Sequence, residues 1–150
     1  MKITRMRLLG GAAALATAAA VLPATAAVAF NSPPLVLEAE PRSPAHLVAR
    51  GAAVDVPVEY SCTANLDGMF IRLRLTEVVG GRIASGVASR TVPCDGATRV
   101  LVMRVAPETG SAPFATGRAS VTTYVDGCYV TRDRFICGSD SIERTVRIRR

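Results

Sequence analysis

The stretch Val54-Asp55-Val56-Pro57-Val58-Glu59-Tyr60-Ser61-Cys62 decides the fold. Val54, Val56, Val58, Tyr60 and Cys62 share one parity, while Asp55, Pro57, Glu59 and Ser61 take the other. A two-residue period sends the first set to one side of an extended chain and the second set to the other, so the segment reads as a strand with one buried face. Pro57 has no N–H to offer a ladder. That places the strand at a sheet edge, or leaves Pro57's side of it unpaired.

The same period recurs downstream. Asn65-Leu66-Asp67-Gly68 is a turn, after which Ile71, Leu73 and Leu75 point inward and Phe70, Arg72, Arg74 and Thr76 outward. Gly80-Gly81 marks a hairpin, followed by a weaker strand over 83–89 and a turn at Asp95-Gly96. Leu101, Met103 and Val105 form one face of another strand, and Pro107 to Pro113 a loop. Ala119, Val121, Thr123 and Val125 share a face, as do Val146 and Ile148 near the end; Arg144 falls on that last inner face and conflicts with it. No segment of this region sustains a 3.6-residue apolar period. Short strands separated by turn signals about every 8–12 residues predict an all-β fold, an immunoglobulin-like antiparallel β-sandwich of about seven strands.

Upstream, the pattern changes. Lys2, Arg5 and Arg7 precede the uncharged run Leu8–Val21; Pro23 follows, and Ala27-Val28-Ala29 supplies a small-x-small cleavage pattern. These are the three parts of a secretory signal peptide, predicted over residues 1–29 as a helix preceding the sandwich, with cleavage after Ala29 or, second, Ala26. Pro23 and the many alanines argue against a membrane-spanning helix. No membrane span is expected in the mature chain, and no cysteine follows the cleavage site to carry a lipid. Residues 30–45, with Pro33, Pro34, Pro41 and Pro44, read as an extended lead-in with an edge strand possible at Leu35-Val36-Leu37, and 46–150 as the sandwich domain.

Export changes how the cysteines are read. Cys62, Cys94, Cys128 and Cys137 all follow the cleavage site, and an even number in an exported chain predicts two disulfides. Of the three possible pairings, Cys62–Cys94 with Cys128–Cys137 is favoured, because the second bond then staples one short loop. A zinc site does not fit: no CxxC occurs and His46 is the lone histidine. Without Lys2, Arg5 and Arg7 the chain carries 15 basic and 12 acidic side chains, a net charge of +3, too mild to indicate a nucleic-acid partner.

Several motifs together resemble a known group. They are V-x-V-x-Y-x-C (Val56 to Cys62), L-x-L-T-E-x-x-G-G-R-I-A-x-G (Leu73 to Gly86), T-V-x-C-D-G (Thr91 to Gly96), G-x-A-x-V (Gly117 to Val121) and a closing R-T-V-x-I (Arg144 to Ile148). The chain is similar in these to small secreted actinobacterial proteins of uncharacterised function with an immunoglobulin-like fold. The resemblance implies a fold and a compartment, and it transfers no functional residue.

For chemistry, the residues offer little. No GxSxG, HExxH or phosphate-cradling glycine loop occurs, and the cysteines are expected to be oxidised, so no enzyme activity and no cofactor are predicted. Asp126, Asp133 and Asp140 lack the spacing of a calcium loop. The candidate binding loop is the disulfide-bounded one, with Tyr129, Arg132, Arg134 and Phe135, since aromatic and arginine side chains on a rigid loop dominate recognition surfaces. The competing reading makes it a plain hairpin with Arg132-Asp133-Arg134 as its tip. A second candidate is a basic stripe of Arg72 and Arg74, joined by Arg147 and Arg149, facing an anionic surface. These features predict a secreted, disulfide-stabilised binding domain whose partner is an extracellular protein or cell-envelope component. The alternative is an inhibitor of an extracellular hydrolase acting through a rigid loop.

Overall fold

Strands account for nearly all the regular structure of the computed structural model, which describes residues 35–64, 66–130 and 134–150. In order they are β1 (Leu37–Pro41), β2 (Ala45–Val48), β3 (Ala53–Cys62), β4 (Met69–Val79), β5 (Arg82–Val92), β6 (Arg99–Val105), β7 (Gly117–Val130) and β8 (Phe135–Arg149), with a 3-10 turn at Ala49–Gly51. The signal peptide expected over 1–29, its helix included, lies outside the described residues.

The hydrogen-bonded path runs β1-β3-β2-β8-β7-β4-β5, with β6 on the other side of β3. β2 is the bridge: it pairs antiparallel with β3 and parallel with β8. On one side of that bridge lies the layer β1-β3-β6, and on the other the layer β8-β7-β4-β5. Val56, Val58, Tyr60 and Met103 of the first layer and Ile71, Leu73, Leu75 and Val121 of the second are buried in one core. The architecture is therefore an immunoglobulin-like β-sandwich. Among the described residues it has eight strands where about seven were expected, and the β2–β8 pair is its parallel exception.

The extra strands come from the proline-rich segment. Leu37, Ala39, Pro41 and Ala45 are buried, so residues 37–45 belong to the sandwich, which corrects the lead-in expected over 30–45. The prolines fit because of where their backbone points. Arg42 N–H donates to Pro57 C=O and Thr63 N–H to Val36 C=O, so even-numbered residues of β1 face β3. Pro41, which lacks an N–H, faces away from the ladder. The Ser43-Pro44 peptide is cis, at the break where the chain leaves β1 and enters β2. Pro41 faces Val58 whereas His46 faces Asp55, so two residues are looped out at this break.

Pro57 is explained by the same break. β3 is not an edge strand, because β1 and β2 flank one side and β6 the other. Pro57 sits opposite Arg42 at the last rung before the break and accepts Arg42 N–H through its carbonyl, so its missing N–H forgoes only the reciprocal bond there. Two further features position the outer surfaces. Gly80 and Gly81 both take positive φ, +55° and +78°, as a two-residue hairpin turn requires. The β6–β7 loop then folds back over the free edge of β5, with Glu108 N–H on Ser85 C=O and Ala112 N–H on Ile83 C=O. Among the described residues no helix is long and apolar enough to cross a membrane.

Candidate functional site

The outer face of β8-β7-β4-β5 follows from parity and register. Because Ile71, Leu73 and Leu75 point inward, Phe70, Arg72, Arg74 and Thr76 point out. Arg72 lies directly across from Tyr124, and Arg74 from Thr122. On the next strand Ser141 faces Tyr124, Glu143 faces Thr122, and Arg147 faces Arg118. Arg149, two residues beyond Arg147, shares that side. Arg72, Arg74, Arg147 and Arg149 thus lie on one sheet face, and Arg118 joins them.

Around the centre of this face, Arg72, Arg74, Thr122 and Tyr124 line a shallow concavity of about 350 Å³. Tyr124 is 41% exposed. The Arg72 guanidinium stands 6.0 Å from the centroid of the Phe70 ring, a cation–π distance that steadies the head group.

Charge divides the two faces of the sandwich. On β1-β3-β6, Arg104 makes a two-pronged contact with Asp55 at 2.7 and 2.8 Å. Arg42 bridges Glu59 at 2.6 Å and Glu40 at 3.1 Å, and Glu40 also receives Arg144, which reaches across from β8, at 3.0 Å. Arg99 pairs with Asp95. The hydrogen bond from Arg104 holds the Asp55 carboxyl below its ordinary pKa, and Arg99 does the same to Asp95, helped by the Ala97 N–H. By contrast, Arg72, Arg74, Arg118, Arg147 and Arg149 have no carboxylate partner among the described residues. Among the described residues the acids on their face are Asp126 and Glu143, and Glu143 accepts a 2.5 Å hydrogen bond from Ser120.

The conflict at Arg144 ends here too. Its parity is inward, yet it sits where the layer opens at β1, and its head escapes the core to Glu40.

The disulfide-bounded hairpin lies at one end of the same face. Cys128 faces Cys137 across the ladder, with Cα atoms 4.1 Å apart and a disulfide between them. The other disulfide, Cys62–Cys94, ties the end of β3 to the turn after β5 and so clamps one layer to the other. Beyond Cys128 and Cys137, Val130 and Phe135 form an outward pair, 68% and 70% exposed. Arg134 is exposed as well. Tyr129 is not part of this surface: it pairs with Ile136 on the inward parity and packs, half-buried, against the core. Its place in the candidate loop is corrected on that ground. Arg132 lies outside the described residues.

Tyr124 and Arg118 are the residues that the candidate loop and stripe omit. The signal was available, since each belongs to the set alternating with Ala119, Val121, Thr123 and Val125. Asp126 and Asp140 do not share a site, because Asp126 faces Ser139 whereas Asp140 faces Val125, so the two side chains leave the sheet on opposite sides. The third residue of that trio, Asp133, is outside the described residues.

The sequence matches no protein-family model and no curated protein. Among solved structures the chain resembles AggA, the major subunit of aggregative adherence fimbriae type I from Escherichia coli. The likeness has a TM-score of 0.43 at 8% identity, covering 78% of this chain and 95% of that one.

Proposed function

We propose that this chain is a secreted, disulfide-braced binding domain. In this reading it engages an extracellular protein or cell-envelope component through the outer face of β8-β7-β4-β5, with no catalytic role. The observation that carries the reading is the division of charge. The arginines of β1-β3-β6 are neutralised within the domain, while those of the opposite face are left for a partner. An unpaired guanidinium keeps its donors free for a carboxylate or phosphate, in a planar fork that suits either. The sheet supports these side chains rigidly, which lowers the ordering cost of binding.

The test is retention on cell-envelope fractions across a salt gradient. Wild-type protein binds and is released by salt. Exchanging Arg72 and Arg74 for Gln weakens retention, whereas Arg104→Gln on the opposite face leaves it unchanged. Salt-insensitive retention, or equal loss in both variants, contradicts the reading.

A second reading draws on the exposed Val130–Phe135 pair at the braced hairpin, which suits insertion into the cleft of an extracellular hydrolase. It requires stoichiometric inhibition of such an enzyme, lost in Phe135→Ala.

A further inference from the structure

We infer that the concavity formed by Arg72, Arg74, Thr122 and Tyr124 is a subsite for an acidic polysaccharide, seating one carboxylate-bearing sugar unit against the tyrosine. The inference rests on the proposed binding face and names the chemistry of its occupant.

Three features converge on that occupant. The first is charge: Arg72 and Arg74 are two residues apart on one strand, which puts their stems roughly 6.7 Å apart and lets each reach a separate anionic group. The second is the aromatic surface. Tyr124 is the cross-strand neighbour of Arg72 and lines the same concavity, so the apolar side of a sugar ring can rest on its exposed ring while the carboxylate reaches an arginine. The third is the hydroxyl set: Thr122 and Ser141 flank the ring on β7 and β8 and can exchange hydrogen bonds with sugar hydroxyls.

Shape selects among polyanions. The residues line a depression, and a bilayer is flat on this scale. A membrane would rest on the exposed apolar side chains at the two ends of the face, Phe135 and Val78, and leave the depression unfilled. A linear glycan can lie along the sheet and drop one ring into it. Glu143, across from Thr122, adds selectivity by repelling a chain that carries charge on every edge.

The experiment measures binding of the protein to polygalacturonate, to dextran as a neutral glycan, and to phosphatidylglycerol vesicles, at low and at physiological salt. The expected result is binding to polygalacturonate, none to dextran, and weaker binding to vesicles. Arg74→Gln and Arg72→Gln each weaken polygalacturonate binding by about tenfold, the scale of one lost charge-assisted contact. Tyr124→Ala weakens it by roughly fivefold at either salt level, because stacking is not screened, and Tyr124→Phe stays within about twofold of wild type. Exchange of Arg147 and Arg149 for Gln changes chiefly the salt dependence. Unchanged thermal unfolding shows that the variants remain folded.

Equal affinity for dextran, binding insensitive to Tyr124→Ala, or vesicles bound more tightly than the glycan overturns the inference. If Arg72→Gln and Arg74→Gln abolish envelope retention but no acidic glycan binds, the binding face stands and the sugar subsite falls. If envelope retention survives both exchanges, the face itself falls.

Discussion

Removing the Cys62–Cys94 bond is the perturbation that probes the scaffold most deeply. This bond joins β3 to the turn after β5, hence one layer of the sandwich to the other, and closes a loop with a sequence separation of 32. In the chain-entropy view, opening a loop of that size destabilises the fold by about 3.7 kcal/mol, against about 2.6 kcal/mol for the 9-residue separation of Cys128–Cys137. Cys62 is buried, so exchanging both partners for Ala also removes packed sulfur, and 3.7 is a lower figure. Against a total stability of roughly 5–15 kcal/mol, the loss is large. With a urea slope of about 1.5 kcal/mol per molar, the midpoint falls by about 2.5 M for Cys62/Cys94→Ala and about 1.7 M for Cys128/Cys137→Ala. Equilibrium urea unfolding of the two double variants, followed by circular dichroism, measures this directly. A shift below about 0.7 M for Cys62/Cys94→Ala, or the reverse order of the two, refutes the view that this bond clamps the layers.

Other consequences are local. Thr123 is buried with no hydrogen-bond partner for its hydroxyl among the described residues, so Thr123→Val, nearly equal in shape, raises stability by about 1 kcal/mol in the same unfolding assay. A Cβ added at Gly86 would sit 2.2 Å from the Ala106 carbonyl oxygen, so Gly86→Ala forces the β6–β7 loop off the edge of β5 and costs about 2–3 kcal/mol. Gly110→Ala, at φ +82° in open space, carries only a backbone penalty of about 1 kcal/mol. The Asp55 carboxyl titrates below its ordinary value in the folded chain because Arg104 binds its ionised form. Its contribution is therefore complete above the unfolded pKa of about 3.9 and disappears as pH falls through the lower folded value. Acid titration of thermal stability should show a shallower loss in Asp55→Asn than in wild type.

How much of this was legible depended on whether the information was local. The inward sets of β3, β4 and β7 stand in the sequence as two-residue periods, and the Gly80-Gly81 turn as adjacent glycines, because alternation and positive φ are properties of neighbouring residues. β1 and β2 were hidden because prolines normally oppose a strand. They are accommodated only because Pro41 turns its nitrogen away from β3 and the chain breaks at Ser43-Pro44, facts set by a partner strand. Arg144 looked misplaced for the same reason: its relief is Glu40, 104 residues away. The basic face was half legible. Parity showed that Arg72 and Arg74 point outward, but only the β4–β7 and β7–β8 registers bring Tyr124, Arg118 and Arg147 beside them. Tyr129 shows the opposite failure. Parity counted from Val125 sends it inward against the core, whereas composition alone places it on the loop's surface.

The most direct test of the binding face is oxidative footprinting of the protein bound to cell-envelope particles, reading the exposed aromatic and aliphatic side chains residue by residue. Binding through β8-β7-β4-β5 predicts that Tyr124 is protected from oxidation on binding, with Phe70 alongside it, while Val100 and Val102 on the opposite face stay as reactive as in the free protein. Protection of Val100 and Val102 with Tyr124 unchanged would contradict the account.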